Sequence, residues 1–216
     1  MRDYLWKILN SYLPLSIQAM NPDFDILLDT YIHNKIGIDI DFLPPSLSAG
    51  LYQNILQLQE DNMMHAAGIG NDAVKDPHQQ MRGDRIYWMD KDHSNSFEQE
   101  FLQLVQNFTD HLNESCYTGI NSCEFHYAVY GEGSAYKKHT DSFRNDSNRK
   151  YSFINYLNKD WEEADGGQLW IHHEDNIQKI LPRAGTAVFF KSDETAHEVT
   201  MAHRERMSIT GWLKRL

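Results

Sequence analysis

The second half of the chain is a series of short strand signals separated by turns, and this pattern restricts the fold more than any other feature. From about Ser122, apolar and polar residues alternate in short runs, with Gly, Asn and Asp at the joints. Such a series is typical of an antiparallel barrel or jelly roll, because parallel strands need long crossover connections. The runs are CEFHYAVY, YGEGSAY, RKYSFINYL, NKDWEEADGG, QLWIHH, KILPRAGTAVFF, HEVTM and RMSITGWL.

The first half of the chain carries helical signals. The PPS sequence at 44–46 offers prolines and a capping serine for a helix that follows it. Two sets of apolar residues then recur at helical spacing and predict core-packing faces. They are Leu47, Leu51, Ile55 and Leu58, and Phe97, Phe101, Leu102, Val105, Phe108 and Leu112. The predicted fold class is α+β, with helices buttressing a β-barrel.

The domain organisation follows from length and composition. The 216 residues suit one domain, and neither an internal repeat nor a linker-like composition divides them. We therefore expect residues 1–35 to form a helical extension that packs on a domain spanning residues 36–216.

Charge and cysteine content exclude several classes of partner. The formal net charge of −11 opposes binding to nucleic acid or to an anionic membrane surface. No apolar stretch is long enough to span a bilayer, and the N-terminus lacks the compact apolar run of a signal peptide. Cys116 and Cys123 are too few for a disulfide framework and lack the paired spacing of a zinc site. These features predict a cytoplasmic protein that binds neither nucleic acid nor a membrane.

The sequence KKHTDSF at 137–143 places a histidine and an aspartate two residues apart. In an extended segment, residues i and i+2 point to the same side, so His139 and Asp141 could bind one metal ion. The alternative is a polar turn in which the Asp and Ser side chains bond their own backbone.

Downstream, His197 precedes a β-branched strand, and a further strand begins at Arg206. Its polar face holds Arg206, Ser208, Thr210 and Trp212, and its apolar face holds Met207, Ile209 and Leu213. The strand could simply be half exposed, but if its polar face points into a barrel, the guanidinium needs an anionic partner. Two histidines and one carboxylate with open positions are the facial triad of non-haem Fe(II) oxygenases.

Six motifs between Ile40 and Leu213 give the sequence a resemblance to a known family. It resembles the Fe(II)- and 2-oxoglutarate-dependent prolyl hydroxylases, and within them the hypoxia-inducible-factor prolyl hydroxylase type and its bacterial relatives. The resemblance implies a double-stranded β-helix, which is a jelly-roll or cupin-like barrel, for residues 36–216. The motifs are IDFL (40–43), MRGDRIYWM (81–89), YGEGSAYKKHTD (130–141), YLNKDW (156–161), DGGQLWI (165–171) and HEVTMAHRERMSITGW (197–212).

The resemblance also implies roles for individual residues. His139, Asp141 and His197 would bind Fe(II), and Arg206 with Tyr156 would hold the distal carboxylate of 2-oxoglutarate. The other implied co-substrate residues are Tyr130 near the metal-side end, Leu169 beside the chain, and Ser208 and Thr210 on the strand face of Arg206. Strand alternation supports the two tyrosines, since it places Tyr130 with Ala128 and His126, and Tyr156 with Ile154 and Ser152. Either tyrosine alone is more often a core residue with a satisfied hydroxyl, and only the joint pattern favours the pocket.

The implied substrate residues are Asp84 and Arg149 as a charge pair at the entrance, Trp212 in the pocket wall, and Arg82. Two solvated surface charges are the alternative for Asp84 and Arg149. The stretches from Tyr130 to His139 and from Phe190 to His197 are one residue shorter than in the animal enzymes, and the loop at 68–81 differs. These departures concern substrate choice more than metal binding.

The implied function is hydroxylation at C4 of a prolyl residue in an intracellular protein, coupled to decarboxylation of 2-oxoglutarate to succinate. Fe(II), 2-oxoglutarate and O2 would be required, with ascorbate as reductant, and the partner would be a protein with an exposed proline. The segments 68–84 and 142–150 would flank the substrate. Two alternatives remain at this point: the same chemistry on a free amino acid or other small molecule, and a sensor barrel that binds metal or a 2-oxoacid without turnover.

Overall fold

Two antiparallel sheets form a double-stranded β-helix in this computed structural model, which describes residues 23–67, 83–141 and 148–216. The larger sheet has the order β1-β9-β6-β11-β4-β3-β2, and the smaller sheet has the order β5-β10-β7-β8. The strands are β1 Ile36–Asp39, β2 His65–Ala66, β3 Asp84–Trp88, β4 Ser122–Tyr130, β5 Tyr136–His139, β6 Arg149–Tyr156, β7 Leu169–His172, β8 Ile177–Ile180, β9 Ala187–Lys191, β10 His197–Val199 and β11 Arg206–Lys214.

Within the described ranges, the helices that precede or interrupt the first strands are α1 (Phe24–Asn34), α2 (Pro45–Glu60) and α3 (Ser96–Cys116). Most of each predicted apolar stripe lies on the buried face of α2 or α3, which confirms both helices, but Leu58 and Leu102 are half-buried and Phe97 is exposed. The Asn95 side chain caps α3 by accepting the backbone N–H groups of Phe97 and Glu98. The predicted serine cap of α2 is wrong. Pro44 is the N-cap residue and Ser46 lies within the helix, because Pro45 at the first helical position has no N–H to satisfy.

The two faces of the larger sheet support two separate hydrophobic cores. The helix-side core lies between this sheet and the helices, and it includes Phe125, Tyr127, Val129, Phe153, Leu157, Met207, Ile209 and Leu213. The site-side core lies between the two sheets, and it includes Ala128, Tyr130, Ile154, Tyr156, Leu169, Ile171 and Val199. The faces predicted from alternation along β4, β6 and β11 are therefore confirmed.

The other strand signals are confirmed in part. The YGEGSAY run is mostly turn, with β5 beginning only at Tyr136, and KILPRAGTAVFF contains the end of β8, a turn and β9. The NKDWEEADGG run contains no strand: Asn158 forms an isolated bridge with Arg183, and Glu163–Asp165 is a 3-10 helix. The Asn158 amide donates to two backbone carbonyls, those of Pro182 and Met207, which ties this segment to the barrel without a ladder.

Several predictions concern residues outside the described ranges. Arg82, residues 1–22 of the predicted N-terminal extension, and most of the segments 68–84 and 142–150 are among them. Within the described residues, α1 buries Leu27 and Leu28 in the helix-side core. The division at residue 35 stays a prediction. In the part of the chain that the structure describes, no helix combines the length and apolar character needed to cross a membrane.

Candidate metal centre and co-substrate pocket

Three potential metal ligands meet at one edge of the smaller sheet. His139 ends β5, Asp141 follows it, and His197 begins β10, where it pairs directly with His139 across the two antiparallel strands. The Nε2 atoms of His139 and His197 lie 3.4 and 3.7 Å from Asp141 Oδ1. One ligand atom from each residue lies within 4.8 Å of the other two. The arrangement therefore could hold one ion with two imidazoles and one carboxylate.

Backbone carbonyls fix the tautomer of both imidazoles. Nδ1 of His139 lies 2.7 Å from the carbonyl oxygen of Lys137, and Nδ1 of His197 lies 3.0 Å from that of Thr195. A carbonyl oxygen can only accept a hydrogen bond, so each Nδ1 carries the proton and donates. In a neutral ring, the Nε2 lone pair then faces Asp141 and is available to a metal ion.

Electrostatics keep the buried ligands in the form that binds metal. Burial alone would raise the pKa of Asp141, but the positive charges that His197 and His139 carry when protonated, together with the hydrogen bond from Ser152, outweigh burial and hold that pKa well below its usual range. Burial lowers the pKa of His197, an effect that the nearby Asp141 carboxylate partly opposes. An ionised carboxylate and a neutral imidazole are the states that metal binding requires.

Arg206 provides a buried positive charge in the same pocket. Only 2% of Arg206 is exposed, and its Nε donates to the Gly167 carbonyl oxygen at 2.8 Å. No carboxylate of the described residues forms an ion pair with it. A buried guanidinium without an anion is unfavourable, so the site fits an anionic ligand.

Two tyrosines and a glycine surround this guanidinium. Its carbon lies 5.1 and 5.0 Å from the ring centres of Tyr130 and Tyr156. The Tyr156 hydroxyl is buried and no described residue accepts its proton, so it is a second group suited to a bound anion. Burial raises the pKa of Tyr156, and the charge and N–H groups of the adjacent Arg206 oppose that rise. Gly167 has a φ of +59°, and a Cβ there would lie 3.0 Å from Arg206 Cδ.

The pocket brings together most of the predicted site residues. The ligand set, Arg206, Tyr130, Leu169, Thr210, Asp84 and Trp212 all line it. Tyr156 and Ser208 are buried beside it, and the Ser208 hydroxyl lies 3.4 Å from that of Thr210. Five further lining residues had no predicted role. They are His126, Ala128, Tyr136, Ile154 and Val199. The signal for His126, Ala128 and Ile154 was a strand face shared with Tyr130 or Tyr156.

Arg149 corrects the predicted charge pair. Its Nε and Nη2 lie 2.8 and 2.7 Å from Glu124 Oε1, so its ion pair is with Glu124 and not with Asp84. Lys214 binds the other oxygen of Glu124 at 3.0 Å. The Arg149 guanidinium also lies 3.5 Å from the centre of the Trp212 ring, which keeps it next to the pocket wall. The register of β11 between β4 and β6 produces this cluster.

Comparisons with known proteins agree with the fold and the site. The family model "2OG-Fe(II) oxygenase superfamily" matches residues 125–214. A prolyl-4-hydroxylase structure from Pseudomonas putida is 31% identical, with a TM-score of 0.80, and the match covers 90% of this chain and all of that one. A prolyl hydroxylase in complex with a hypoxia inducible factor oxygen degradation domain peptide fragment from Trichoplax adhaerens is 26% identical, with a TM-score of 0.79 and 89% of each chain covered.

A curated relative gives the same assignment over part of its length. Human Egl nine homolog 1 is 33% identical over 153 residues, which cover 66% of this chain but only 34% of the human protein. The match to the Pseudomonas putida structure covers the whole of that chain, and the His–Asp–His triad is in place. The superfamily is one of Fe(II) enzymes that use 2-oxoglutarate and O2. This chain is an enzyme that belongs to the 2OG-Fe(II) oxygenase superfamily, and it is similar to the prolyl hydroxylases within it.

Proposed function

We propose that the enzyme hydroxylates C4 of a prolyl residue in an intracellular protein while 2-oxoglutarate is converted to succinate and carbon dioxide. One observation carries the proposal. A single pocket contains two imidazoles and a carboxylate at its edge together with a buried guanidinium that lacks an anionic partner among the described residues. A 2-oxoacid with a second carboxylate matches both features, since one end suits the metal and the other suits Arg206.

In this proposal, His139, Asp141 and His197 bind Fe(II). When bound, the metal supplies the oxidative chemistry that converts a C–H bond into C–OH. The protein residues orient the reactants and exclude water, and none acts as a general base. The carbonyl groups of Lys137 and Thr195 hold the two imidazole rings in place through their Nδ1 protons.

The Arg206 guanidinium binds the distal carboxylate of 2-oxoglutarate through its two terminal nitrogens, while its Nε stays with Gly167. The Tyr156 hydroxyl, whose proton no described residue accepts, donates a further hydrogen bond to that carboxylate. Tyr130 lies near the metal-side end of the co-substrate, and Leu169 packs beside its carbon chain. Ser208 and Thr210 complete the polar strand face next to Arg206.

We assign the prolyl substrate to the part of the pocket formed by Asp84 and Trp212, with Arg149 stacked behind the indole. Arg82 and the segments 68–84 and 142–150 would flank the peptide. The hypoxia-inducible-factor peptide bound to the Trichoplax relative supports a protein substrate. A proline also suits such a site, because its fixed ring presents C4 with little loss of conformational entropy.

Two further parts of the proposal concern conditions in the cell. Ascorbate would act as the reductant that keeps the iron ferrous. The cytoplasm is the proposed compartment, since its low redox potential matches the free state of both cysteines and the ferrous metal.

Mass spectrometry tests the substrate assignment. Purified enzyme with Fe(II), ascorbate and 2-oxoglutarate is incubated with a lysate of its own host. The expected products are succinate and a mass gain of one oxygen on a proline of a protein. If the only oxidised product is a free metabolite, the small-molecule alternative replaces the protein substrate. If no succinate forms under any condition, the proposed reaction is wrong.

Two variants test the metal assignment in the same assay. Asp141→Ala removes the only anionic ligand and should abolish succinate formation, whereas Asp193→Ala removes an exposed carboxylate nearby and should leave it unchanged. Wild-type turnover in Asp141→Ala would place the metal ligand elsewhere. Exchange of residues 68–81 for a Gly-Ser linker should spare uncoupled decarboxylation but reduce peptide hydroxylation, and unchanged hydroxylation would remove this segment from substrate binding.

A further inference from the structure

Two buried serines lie directly behind the Asp141 carboxylate. Ser152 belongs to β6 and Ser192 follows the end of β9, and both are fully buried. The Ser152 hydroxyl lies 2.6 Å from Asp141 Oδ2, and the hydroxyls of Ser152 and Ser192 lie 2.9 Å apart. The three side chains therefore form one continuous chain of hydrogen bonds.

The direction of this chain follows from the number of protons available. An ionised carboxylate can only accept, so the Ser152 hydroxyl must donate its single proton to Asp141 Oδ2. Ser152 then has only lone pairs to offer to Ser192. The Ser192 hydroxyl must therefore donate to Ser152, and each bond polarises and strengthens the next.

Backbone hydrogen bonds also connect Asp141 to Ser192 and, through Ser192, to β6. The backbone N–H of Asp141 donates to the Ser192 carbonyl oxygen at 3.0 Å, and the backbone N–H of Ser192 donates to the Lys150 carbonyl oxygen at 3.1 Å. Asp141 is thus held through its side chain by Ser152 of β6 and through its main chain by Ser192, which directly follows β9, although its own segment continues β5 of the smaller sheet.

The two carboxylate oxygens of Asp141 consequently have different surroundings. Oδ2 is held by the Ser152 hydroxyl, whereas Oδ1 faces the Nε2 atoms of His139 and His197. We propose that Ser152 and Ser192 are positioning residues that make Asp141 bind the metal through one oxygen only. This inference rests on the metal site proposed above and extends it to residues that touch neither metal nor co-substrate.

A one-oxygen carboxylate matters for this type of centre. A 2-oxoacid that binds through two atoms and dioxygen together need the positions that the three protein ligands leave open. A carboxylate that turned to bind through both oxygens would occupy one of these positions. The serine pair also restricts the rotation of the Asp141 side chain before the metal arrives, and such pre-organisation favours binding.

Titration with Co(II) tests the inference on the purified apo-protein, because its visible absorption reports both affinity and the number of ligands. Ser152→Ala should weaken Co(II) binding by about tenfold or more and change the absorption spectrum. Ser192→Ala should also weaken Co(II) binding, but by less than Ser152→Ala, since Ser152 can still donate to Asp141 Oδ2. Ser152→Thr keeps the hydroxyl and should restore wild-type affinity and spectrum.

Controls separate the failure of this inference from failure of the metal site itself. Ser48→Ala removes another buried serine, on α2, and should leave Co(II) binding unchanged. Asp141→Ala should abolish binding, and if it binds like the wild type, the proposed metal site is wrong. Circular dichroism checks that Ser152→Ala and Ser192→Ala are folded. If both folded variants keep wild-type affinity and spectrum while Asp141→Ala loses the metal, only the inference about the serines is overturned. Should Ser152→Ala not fold, Ser192→Ala decides: wild-type affinity and spectrum in a folded Ser192→Ala would overturn the inference.

Discussion

Replacement of Arg206 by lysine should weaken 2-oxoglutarate binding while leaving the charge of the pocket unchanged. The side chain is almost completely buried, and its Nε is already committed to the Gly167 carbonyl oxygen. The two terminal nitrogens therefore remain to hold a carboxylate through two parallel hydrogen bonds. A lysine ammonium is a point charge that lacks this planar fork, and it places a methylene group where Nε now donates.

The size of the effect follows from the bonds that are lost. One charge-assisted hydrogen bond contributes about 1.5–3 kcal/mol, and about 1.4 kcal/mol corresponds to a tenfold change in affinity. Loss of one of the two bonds to the carboxylate thus predicts about a tenfold to hundredfold increase in the Kd of 2-oxoglutarate. Loss of the bond to Gly167 frees the replacement side chain to move, which favours the upper part of this range.

Isothermal titration calorimetry of the Zn(II)-loaded protein measures this Kd without turnover. Arg204→Lys is a suitable control, because Arg204 is partly exposed, pairs with Asp165 at 3.0 Å and lies over the Trp161 ring. The control should bind 2-oxoglutarate with a Kd within about twofold of the wild type. If Arg206→Lys also stays within that range and is folded, the guanidinium does not hold the co-substrate and the assignment of the pocket fails.

Two further substitutions test the packing of the helix-side core and the close approach of Gly167 to Arg206. Phe108→Ala should lower the free energy of unfolding by about 3–5 kcal/mol, because Phe108 is fully buried against four aromatic rings. Phe97 lies on the same helix and is 37% exposed, so Phe97→Ala should lower the free energy of unfolding, measured by chemical denaturation, by a smaller amount. A loss below about 1 kcal/mol at Phe108 would contradict this packing. Gly167→Ala should weaken 2-oxoglutarate binding more than Gly133→Ala: both glycines have positive φ, but only at Gly167 would a Cβ crowd Arg206. Equal effects would show that backbone strain alone matters.

The faces of the larger sheet could be predicted because strand alternation is a local property. Tyr130 and Tyr156 lie in the site-side core, while Tyr127 and Phe153 lie in the helix-side core, as the period of two residues required. Alternation also separated the polar face of β11 from its apolar face, but it left open whether the polar face is solvent-exposed or points into the barrel, where the structure buries Arg206. The separation into two faces depends only on near neighbours in sequence, whereas the direction of each face depends on the whole barrel.

The meeting of His139 and Asp141 was also a local prediction, since both lie within three residues at the end of β5. The position of His197 depends on the pairing of β5 with β10, which resemblance to a family could supply but residue spacing could not. The ion-pair partner of Arg149 was predicted wrongly for the same reason. Its partner Glu124 lies 25 residues away on a strand that is not adjacent to β6, and lateral register between distant strands has no signature in a single sequence.

The serine pair illustrates an intermediate case. Ser152 shares a strand face with Tyr156, so an inward direction was predictable, but its bond to Asp141 was not. Ser192 lies past the end of β9 in a turn, where a serine carries no signal beyond its ordinary preference for such positions. The hydrogen bonds between these residues exist only because three separate segments meet in the folded barrel.

The two cores on opposite faces of the larger sheet have a consequence for how the enzyme tolerates sequence change. Along β4, β6 and β11, consecutive residues alternate between the helix-side core and the pocket. Substitutions at one set of positions therefore act on the amount of folded enzyme, and substitutions one residue away act on turnover and substrate choice. The two traits can diverge independently within the same strand, so relatives with altered specificity can retain an unchanged scaffold.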